Sequence, residues 1–183
     1  MKKIGLALSL FFLLLPIYAN ENIGFTPSLK LSMLGFEPAI AMNYNNLETE
    51  ISVPFKTTAD SSSIYAAPAI NISYNTKPFS KGYSSTVGFE YMYLMAGYTE
   101  SLFSLIENDS TDYPSLHAFS VFYRAGINFS DHFGIQIKAR QPLCILSAKS
   151  NSNYRMSILN DIGFLESYLI LVSTISVGVK YTF

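Results

Sequence analysis

The sequence predicts an all-β protein: a closed antiparallel up-and-down β-barrel of about eight strands that crosses a membrane. Hydrophobic residues make up 49% of the chain and aromatic residues 15%, whereas charged residues make up only 14%, against about 25% in ordinary soluble domains. Beyond the N-terminal leader, no apolar stretch is long enough for a spanning helix. Apolar and polar residues instead alternate along short segments, and a closed barrel can meet lipid because closure pairs its backbone N–H and C=O groups.

The N-terminus has the layout of a secretory signal peptide. Two lysines, Lys2 and Lys3, precede an apolar run from Ile4 to Leu15, and a short segment ending at Ala19 offers a cleavage site. The run is shorter than the roughly 20 residues that cross a bilayer as a helix. We therefore predict a signal peptide at residues 1–19 and one barrel domain at residues 20–183. Removing 19 residues and two lysines from 183 residues with net charge −1 leaves 164 residues with net charge −3.

Composition excludes several classes of function. A mildly acidic chain without a basic run offers nothing to nucleic acid. Cys144 is the single cysteine, so no internal disulfide is expected in an exported protein. No metal-ligand spacing or glycine-rich phosphate loop is present, and we expect no cofactor.

The clearest strand lies at the C-terminus. Five apolar residues alternate there with Thr174, Ser176, Gly178, Lys180 and Thr182, and the two sets face opposite sides of a strand; the apolar set is Ile175, Val177, Val179, Tyr181 and Phe183. Seven further rows bring the count to eight: Leu29–Met33, Ile40–Tyr44, Leu47–Phe55, Ile64–Tyr74, Val87–Met95, Phe119–Phe129 and Phe133–Arg140. Met92, Leu94 and Phe122 break the polar side of their rows.

Prolines and turn formers test this division. Pro54 and Pro142 fall at loop ends, whereas Pro27 and Pro68 lie inside rows and predict a bulge, an exposed rim or a shifted boundary. Two short turns are predicted at Asn45–Asn46 and Ser130–His132, and a longer third turn at Thr76–Gly82. The other connections are predicted at Gly35–Pro38, Lys56–Ser63, Thr99–Ser115 and about Leu146–Asp161. Short turns at one end and mostly longer loops at the other are typical of outer-membrane barrels.

The polar faces distinguish a membrane barrel from the main alternative, an exported lipocalin-like barrel or β-sandwich. They are rich in small residues, which fit the crowded interior of an eight-stranded barrel. A few charges share this predicted lumen: Lys30, Glu48, Glu50, Glu90, Arg124, Lys138, Arg140 and Lys180. Buried charges persist when they are paired. We interpret them as an ion-pair network that fills the barrel; a conducting or gated path is the alternative.

Aromatic residues are predicted to face outward near the short-turn end, where rings belong at a membrane interface; they are Tyr44, Tyr74, Phe129, Phe133, Tyr181 and Phe183. The terminal Phe183, Tyr181 two places before it and the alternating residues behind them resemble the C-terminal β-signal of bacterial outer-membrane proteins. Together with the leader, the length and eight strands, the chain resembles the small OmpA, OmpX and OmpW-type barrels. Tryptophan is absent, although aromatic girdles of that group often use it. The resemblance implies placement in the outer membrane of a Gram-negative-type bacterium, with outer-membrane lipid, periplasmic chaperones and the barrel-assembly machinery as partners.

Three functions stay open at this point. The first is a non-enzymatic structural or surface-interaction barrel with a plugged lumen, and the second is a narrow pore for small or hydrophobic solutes. The third, a lipid-modifying enzyme, depends on His117 near Asp112 and Ser115 at the loop end of a strand. An apolar cluster in the long loop, Leu102, Phe103, Leu105 and Ile106, is interpreted as a short helix or lid on the rim, or as a patch for a surface ligand.

Overall fold

In the computed structural model, residues 23–32, 35–57, 64–77, 82–103, 115–148, 156–158 and 175–183 are described. The predicted signal peptide lies outside these residues. So do Asp112, Leu105 and Ile106, which belong to the candidate enzyme site and the apolar loop cluster.

The described strands form one antiparallel sheet that closes on itself, because β1 pairs with β2 on one side and with β11 on the other. The strands are β1 (Ile23–Ser32), β2 (Gly35–Tyr44), β3 (Leu47–Ser52), β4 (Phe55–Thr57), β5 (Ile64–Ala66), β6 (Ala69–Lys77), β7 (Gly82–Leu94), β8 (Ser115–Asn128), β9 (Phe133–Ala148), β10 (Met156–Ile158) and β11 (Ile175–Tyr181). A single helix among the described residues, α1 (Ala96–Phe103), follows β7. The predicted closed antiparallel barrel is confirmed.

Two pairs of segments each make one barrel stave, which reduces the closed wall to eight staves in the described part of the chain. β3 and β4 both pair with β2, and they continue into each other through Val53 and Pro54. β5 and β6 are separated at Ala67 and Pro68, and pair with β4 and β3. The Ala67 N–H donates to the Pro54 carbonyl at 2.8 Å, so the ladder continues across both breaks. β10 lies outside the eight and pairs with β9.

The prolines behave in three ways. Pro54 and Pro68 lie at the stave breaks, because proline has no N–H to give to the ladder. Pro142 lies beside a register shift where β8 pairs with β9, and Pro27 pairs with Ile40 in regular register. Of the bulge, rim or shifted boundary expected at Pro27, no bulge occurs in the pairing with β2, and the boundary has shifted because β1 begins at Ile23.

The two short turns that the structure describes lie where they were predicted. Asn45 has a φ of 54° in the turn between β2 and β3, a conformation that asparagine tolerates better than most residues. At the turn from β8 to β9, the Ser130 hydroxyl accepts from the Phe133 N–H at 2.9 Å. Residues 78–81 of the third turn lie outside the described part.

All four predicted connections at the long-loop end need correction, and the one predicted from Lys56 begins inside β4 (Phe55–Thr57). Gly35–Pro38 is not a loop but the first part of β2, and Gly35 begins that strand at a φ of 103°. β9 continues to Ala148, beyond the predicted boundary at Leu146, and β10 falls within the following connection. The predicted loop from Thr99 begins inside α1. Most barrel staves are thus longer than the apolar rows that predicted them, whereas β11 (Ile175–Tyr181) is shorter than its row.

The alternation sorts side chains as the sequence predicts. Small polar and charged residues are buried inside, whereas large apolar residues on every stave are exposed on the outer surface. None of the described helical residues forms a helix long and apolar enough to span a membrane.

Candidate functional site: the charged interior of the barrel

Glu50 lies at the centre of a cluster of buried charges. Its Oε1 atom is 2.6 Å from Lys30 Nζ and 3.7 Å from Lys138 Nζ, and its Oε2 atom accepts from Arg124 at 3.1 Å. Asn71 adds a neutral donor to Oε1 at 2.9 Å. Strands β1, β3, β6, β8 and β9 contribute these groups, so one carboxylate connects side chains from around the whole wall.

Glu37 belongs to the same cluster, although the sequence interpretation placed it in a loop. Its Oε1 atom is 3.0 Å from Lys30 Nζ, and its Oε2 atom accepts from Arg140 at 2.9 Å. The residue is fully buried. Had the alternation of Ile40 and Met42 been extended toward Gly35, Glu37 would have fallen on the inward face.

A third carboxylate, Glu90 on β7, holds the two basic residues of β9. Lys138 donates to Glu90 Oε2, and Arg140 Nε lies 2.8 Å from Glu90 Oε1. That second pair satisfies an ion-pair distance but not hydrogen-bond geometry. Lys138 also lies 4.5 Å from the centre of the Phe122 ring, a cation–π distance. Phe122 thus breaks the polar row because it packs on this lysine.

The predicted basic residues divide into a central group and one outlying member. Arg124 bridges Glu50 and Glu48, whereas Lys180 lies toward the short turns and donates to the Ser84 hydroxyl at 3.0 Å. The central group holds four basic and four acidic side chains among the described residues: Lys30, Arg124, Lys138, Arg140, Glu37, Glu48, Glu50 and Glu90. Glu37 makes these formal charges equal.

Above the charges, toward the long loops, the lumen becomes apolar. The inward side chains there are fully or almost fully buried and include Met92, Leu94, Leu116, Ala118 and Ile145. Met92 and Leu94 therefore form part of a small core where the sequence showed an interrupted polar row. Among the described side chains, the interior thus changes from charged to apolar toward the long loops.

Helix α1 adds to this apolar layer. Tyr98 and Thr99 are completely buried, and Gly97 lies against the ring of Tyr65, where a Cβ would come within 2.6 Å of a ring carbon. Burial raises the pKa of the Tyr98 phenol, with Arg140 and Glu37 within electrostatic reach. The side chains of Leu102 and Phe103 are not described.

The outer surface carries apolar residues between two groups of aromatic rings. Near the short turns lie Tyr44, Tyr74, Phe129, Phe133, Tyr181 and Phe183, each more than 40% exposed. Toward the long loops, Tyr91 and Phe119 face outward with ring centres 5.2 Å apart. The C-terminal set, Ile175, Val177, Val179, Tyr181 and Phe183, is exposed on the same surface.

His117, the candidate catalytic histidine, also faces outward. Its Nδ1 atom is 2.7 Å from the Tyr91 hydroxyl, and its ring packs against Tyr91 and Tyr93. The ring lies on the side of β8 opposite the charged lumen, since its neighbours Leu116 and Ala118 face inward. His132 lies in the turn at the other end, 2.9 Å from the Thr182 carbonyl. No group of metal-ligating side chains occurs among the residues that the structure describes.

Comparison with known proteins adds two structural likenesses. No protein-family model and no curated protein sequence matches the chain. The N-terminal β-barrel domain of Pseudomonas aeruginosa OprF superposes with a TM-score of 0.49 at 10% identity, covering 88% of this chain and 96% of that domain. A major outer membrane protein from Thermus thermophilus gives 0.41 at 13% identity, covering 88% and 99%.

Proposed function

We propose that this chain is a non-enzymatic, integral outer-membrane barrel with a plugged, charge-compensated lumen and a structural or surface-interaction role. One observation carries the proposal: apolar side chains lie outside and charged side chains inside, the reverse of the distribution in a soluble protein. Large apolar side chains such as Phe89 and Ile72, 68% and 63% exposed, cover the outside, while eight charged side chains are buried inside. A monomeric soluble protein rarely exposes an apolar surface of this extent, whereas lipid stabilises it.

The spacing of the aromatic groups supports the same placement. Phe119 and Phe129 lie ten residues apart, which is about 33 Å along a strand. At a strand tilt of about 40°, this becomes about 25 Å along the barrel axis, the height of the apolar band of an outer-membrane barrel. Polar groups on this surface pair with one another: the Tyr83 and Tyr123 hydroxyls lie 2.6 Å apart, and Ser85 donates to Tyr123 at 3.0 Å. Such pairing lowers the cost of placing hydroxyls in lipid.

The interior side chains favour a plugged lumen rather than a conducting pore. A conducting path needs a continuous polar lining, but the charged cluster lies across the lumen and is followed by the buried side chains of Leu94, Leu116 and Ile145. Moving one partner out of such a cluster leaves a buried charge uncompensated, which costs several kcal/mol. The same side chains that could line a pore therefore hold the staves together.

The C-terminal strand fits a role in assembly. Val177, Val179 and Tyr181 face outward on β11, which pairs with β1 to close the barrel. β11 thus forms one side of the seam between the first and last described strands. We propose that this outward face is what periplasmic chaperones and the barrel-assembly machinery recognise, and that residues 1–19 direct export.

Two measurements test the proposal. Membrane fractionation with gel mobility before and after boiling should show a compact form that shifts on heating. Planar-bilayer recordings of the refolded barrel should show no reproducible conductance steps. Absence of the heat-dependent shift would contradict the membrane barrel, whereas steps that disappear in Arg124→Ala would replace the plug with the pore. Lipid turnover lost in His117→Ala but kept in His132→Ala would instead establish the enzyme.

A further inference from the structure

At the loop end of the wall, two staves finish in a short hairpin that neighbouring strands support weakly. The hairpin consists of β4 and β5, which pair with each other, and we call it the rim hairpin. β4 pairs with β2 through one residue pair, Phe36 and Phe55. Among the described strands, β5 pairs only with β4. By contrast, β8 and β9 pair with each other as far as Ser115 and Ala148 at this end of the barrel.

The base of the rim hairpin is crossed by three backbone pairs that each contain a proline. In these pairs the N–H of Val53 donates to the Pro38 carbonyl at 3.1 Å, that of Ala67 to Pro54 at 2.8 Å, and that of Tyr93 to Pro68 at 2.9 Å. A hydrogen-bonded pair of an antiparallel ladder normally exchanges two bonds, but proline has no N–H to return. Because Pro54 directly follows Val53 and Pro68 directly follows Ala67, the three singly bonded pairs form one line, here called the proline line.

Helix α1 packs against the rim hairpin. Gly97 of the helix lies against the ring of Tyr65 on β5, since a Cβ at Gly97 would come within 2.6 Å of a ring carbon. The next two helix residues, Tyr98 and Thr99, are completely buried. None of the eight side chains of the central charged group belongs to β4 or β5. The rim hairpin therefore adjoins the helix at the loop end of the lumen but carries no part of the charged plug.

From these features we infer that the rim hairpin is a hinged flap. It moves as one unit about the proline line, and its outward movement uncovers helix α1 while the charged cluster stays in place. Segments open locally where few bonds and contacts join them to their neighbours, and the bonds that proline removes lie at the base of this hairpin. The inference goes beyond the proposed function, because a plugged lumen requires no moving part.

Amide hydrogen exchange of the refolded barrel in detergent micelles, read residue by residue by NMR, tests the hinge. The hydrogen-bonded amides of β4 and β5 should share one protection factor, because a flap opens all of them together. That factor should be lower than the factors of β3 and β6, with the change falling at the proline line. Protection that instead declines stepwise toward Thr57 and Ile64 would show an ordinary frayed end and overturn the inference. Protection equal to that at the loop end of β8 would overturn it as well.

A pair of variants tests the link between the flap and β2. Phe36→Ala removes a ring that stacks on Phe55 with centres 6.0 Å apart. Losing such a pair should accelerate exchange of the β4 and β5 amides by one common factor of about two to ten. The control is Phe133→Ala, which removes a similar stack on Phe129, 6.2 Å apart at the short-turn end, and should leave these amides unchanged. Equal exchange rates in the two variants would contradict the flap.

Cysteine labelling tests whether the movement uncovers α1. In a Cys144→Ser background, which removes the exposed thiol, Thr99→Cys should react slowly with a maleimide, and Phe36→Ala should raise that rate by the factor seen in amide exchange. Met92→Cys, on β7 at a position 1% exposed and on the short-turn side of the proline line, should stay unlabelled. Labelling that Phe36→Ala does not accelerate, or equal labelling at both cysteines, would overturn the inference. The heat-dependent gel shift shows that each variant is folded, and Phe55→Leu, which removes the same stack, replaces Phe36→Ala if that variant lacks the shift.

Discussion

Glu37→Gln is the sharpest perturbation of the charged interior. The carboxylate is fully buried and lies 3.0 Å from Lys30 Nζ and 2.9 Å from Arg140 Nη2, with Lys138 Nζ at 3.9 Å. Glutamine keeps the shape but removes the charge, so four basic side chains face three acidic ones. Removing one partner of a buried ion pair costs about 3–5 kcal/mol because the remaining charge loses its compensation.

Urea unfolding of the barrel in detergent micelles, followed by the heat-modifiable gel shift, measures this cost. With a denaturant slope of about 2 kcal/mol per molar urea, a loss of 3–5 kcal/mol lowers the unfolding midpoint by about 1.5–2.5 M. A charge-removing partner variant, Lys30→Met, should partly rescue Glu37→Gln. In the double-mutant cycle, the two single losses should exceed the double loss by about 0.5–3 kcal/mol.

The matched control is Asp131→Asn, which removes an acidic charge from an exposed turn. Surface substitutions of this kind change stability by about 0.5 kcal/mol or less. If Glu37→Gln lowers the midpoint no further than Asp131→Asn, or if the double variant loses the full sum of the single losses, the charged cluster does not stabilise the barrel as argued.

Three further outcomes follow from other parts of the structure. Ile137 lies on the outward face of β9 and is 51% exposed. Ile137→Arg should lower the free energy of unfolding in lipid vesicles by about 2–4 kcal/mol, whereas Tyr44→Arg near the short turns should lower it by about 1 kcal/mol or less. Equal losses in vesicle refolding would contradict the contact of this outer face with lipid. Gly88→Ala should lower the free energy of unfolding by about 1–3 kcal/mol, because the new Cβ would lie 2.4 Å from Ser73 Cβ. The control is Gly24→Ala, whose new Cβ would meet only Asn43 Cβ at 4.0 Å. Equal urea midpoints for the two variants would refute the close approach of the strands at Gly88. Replacing both Leu94 and Leu116 with Ser should leave planar bilayers without conductance steps, because the charged cluster still lies across the lumen, and steps in this double variant would show that the apolar layer alone is the barrier.

The fold follows from sequence because the side-chain period of a strand is fixed at two. Once Val177 and Val179 share one face, Gly178 and Lys180 share the other, and the same rule applies to each stave. Stave lengths were less predictable, since the inward side chains near the rim are no longer polar. Met92, Leu94 and Phe122 looked like errors in the alternation, but tertiary packing explains each: two join the apolar layer and one packs against Lys138.

The sequence predicts which charged side chains face the interior, but not which of them form ion pairs with one another. Alternation assigns Lys30 and Glu50 to the inside, yet which carboxylate meets which base depends on staves that are distant in sequence. Arg124 and Glu48, for example, are 76 residues apart. Glu37 was missed because Gly35 and Pro38 read as turn formers, whereas Pro38 lies within β2 and its carbonyl accepts from the Val53 N–H at 3.1 Å. Glycine and proline are thus weak signals of a turn at Gly35–Pro38, because β2 includes both residues.

The charged cluster also gives a physical reason for the single register of this barrel. Slipping one stave by a single residue would exchange its two faces. For β9, such a slip would move Lys138 and Arg140 to the lipid and bring Ile137 and Ala139 to face Glu90 and Glu37. Each basic side chain costs about 2–4 kcal/mol near the bilayer midplane, and the abandoned carboxylates lose their compensation. A purely apolar interior would impose no such penalty, because both faces of the slipped stave would then suit either environment. The buried charges therefore determine which face of each stave lies inside, because the slipped registers are much less stable than the native one.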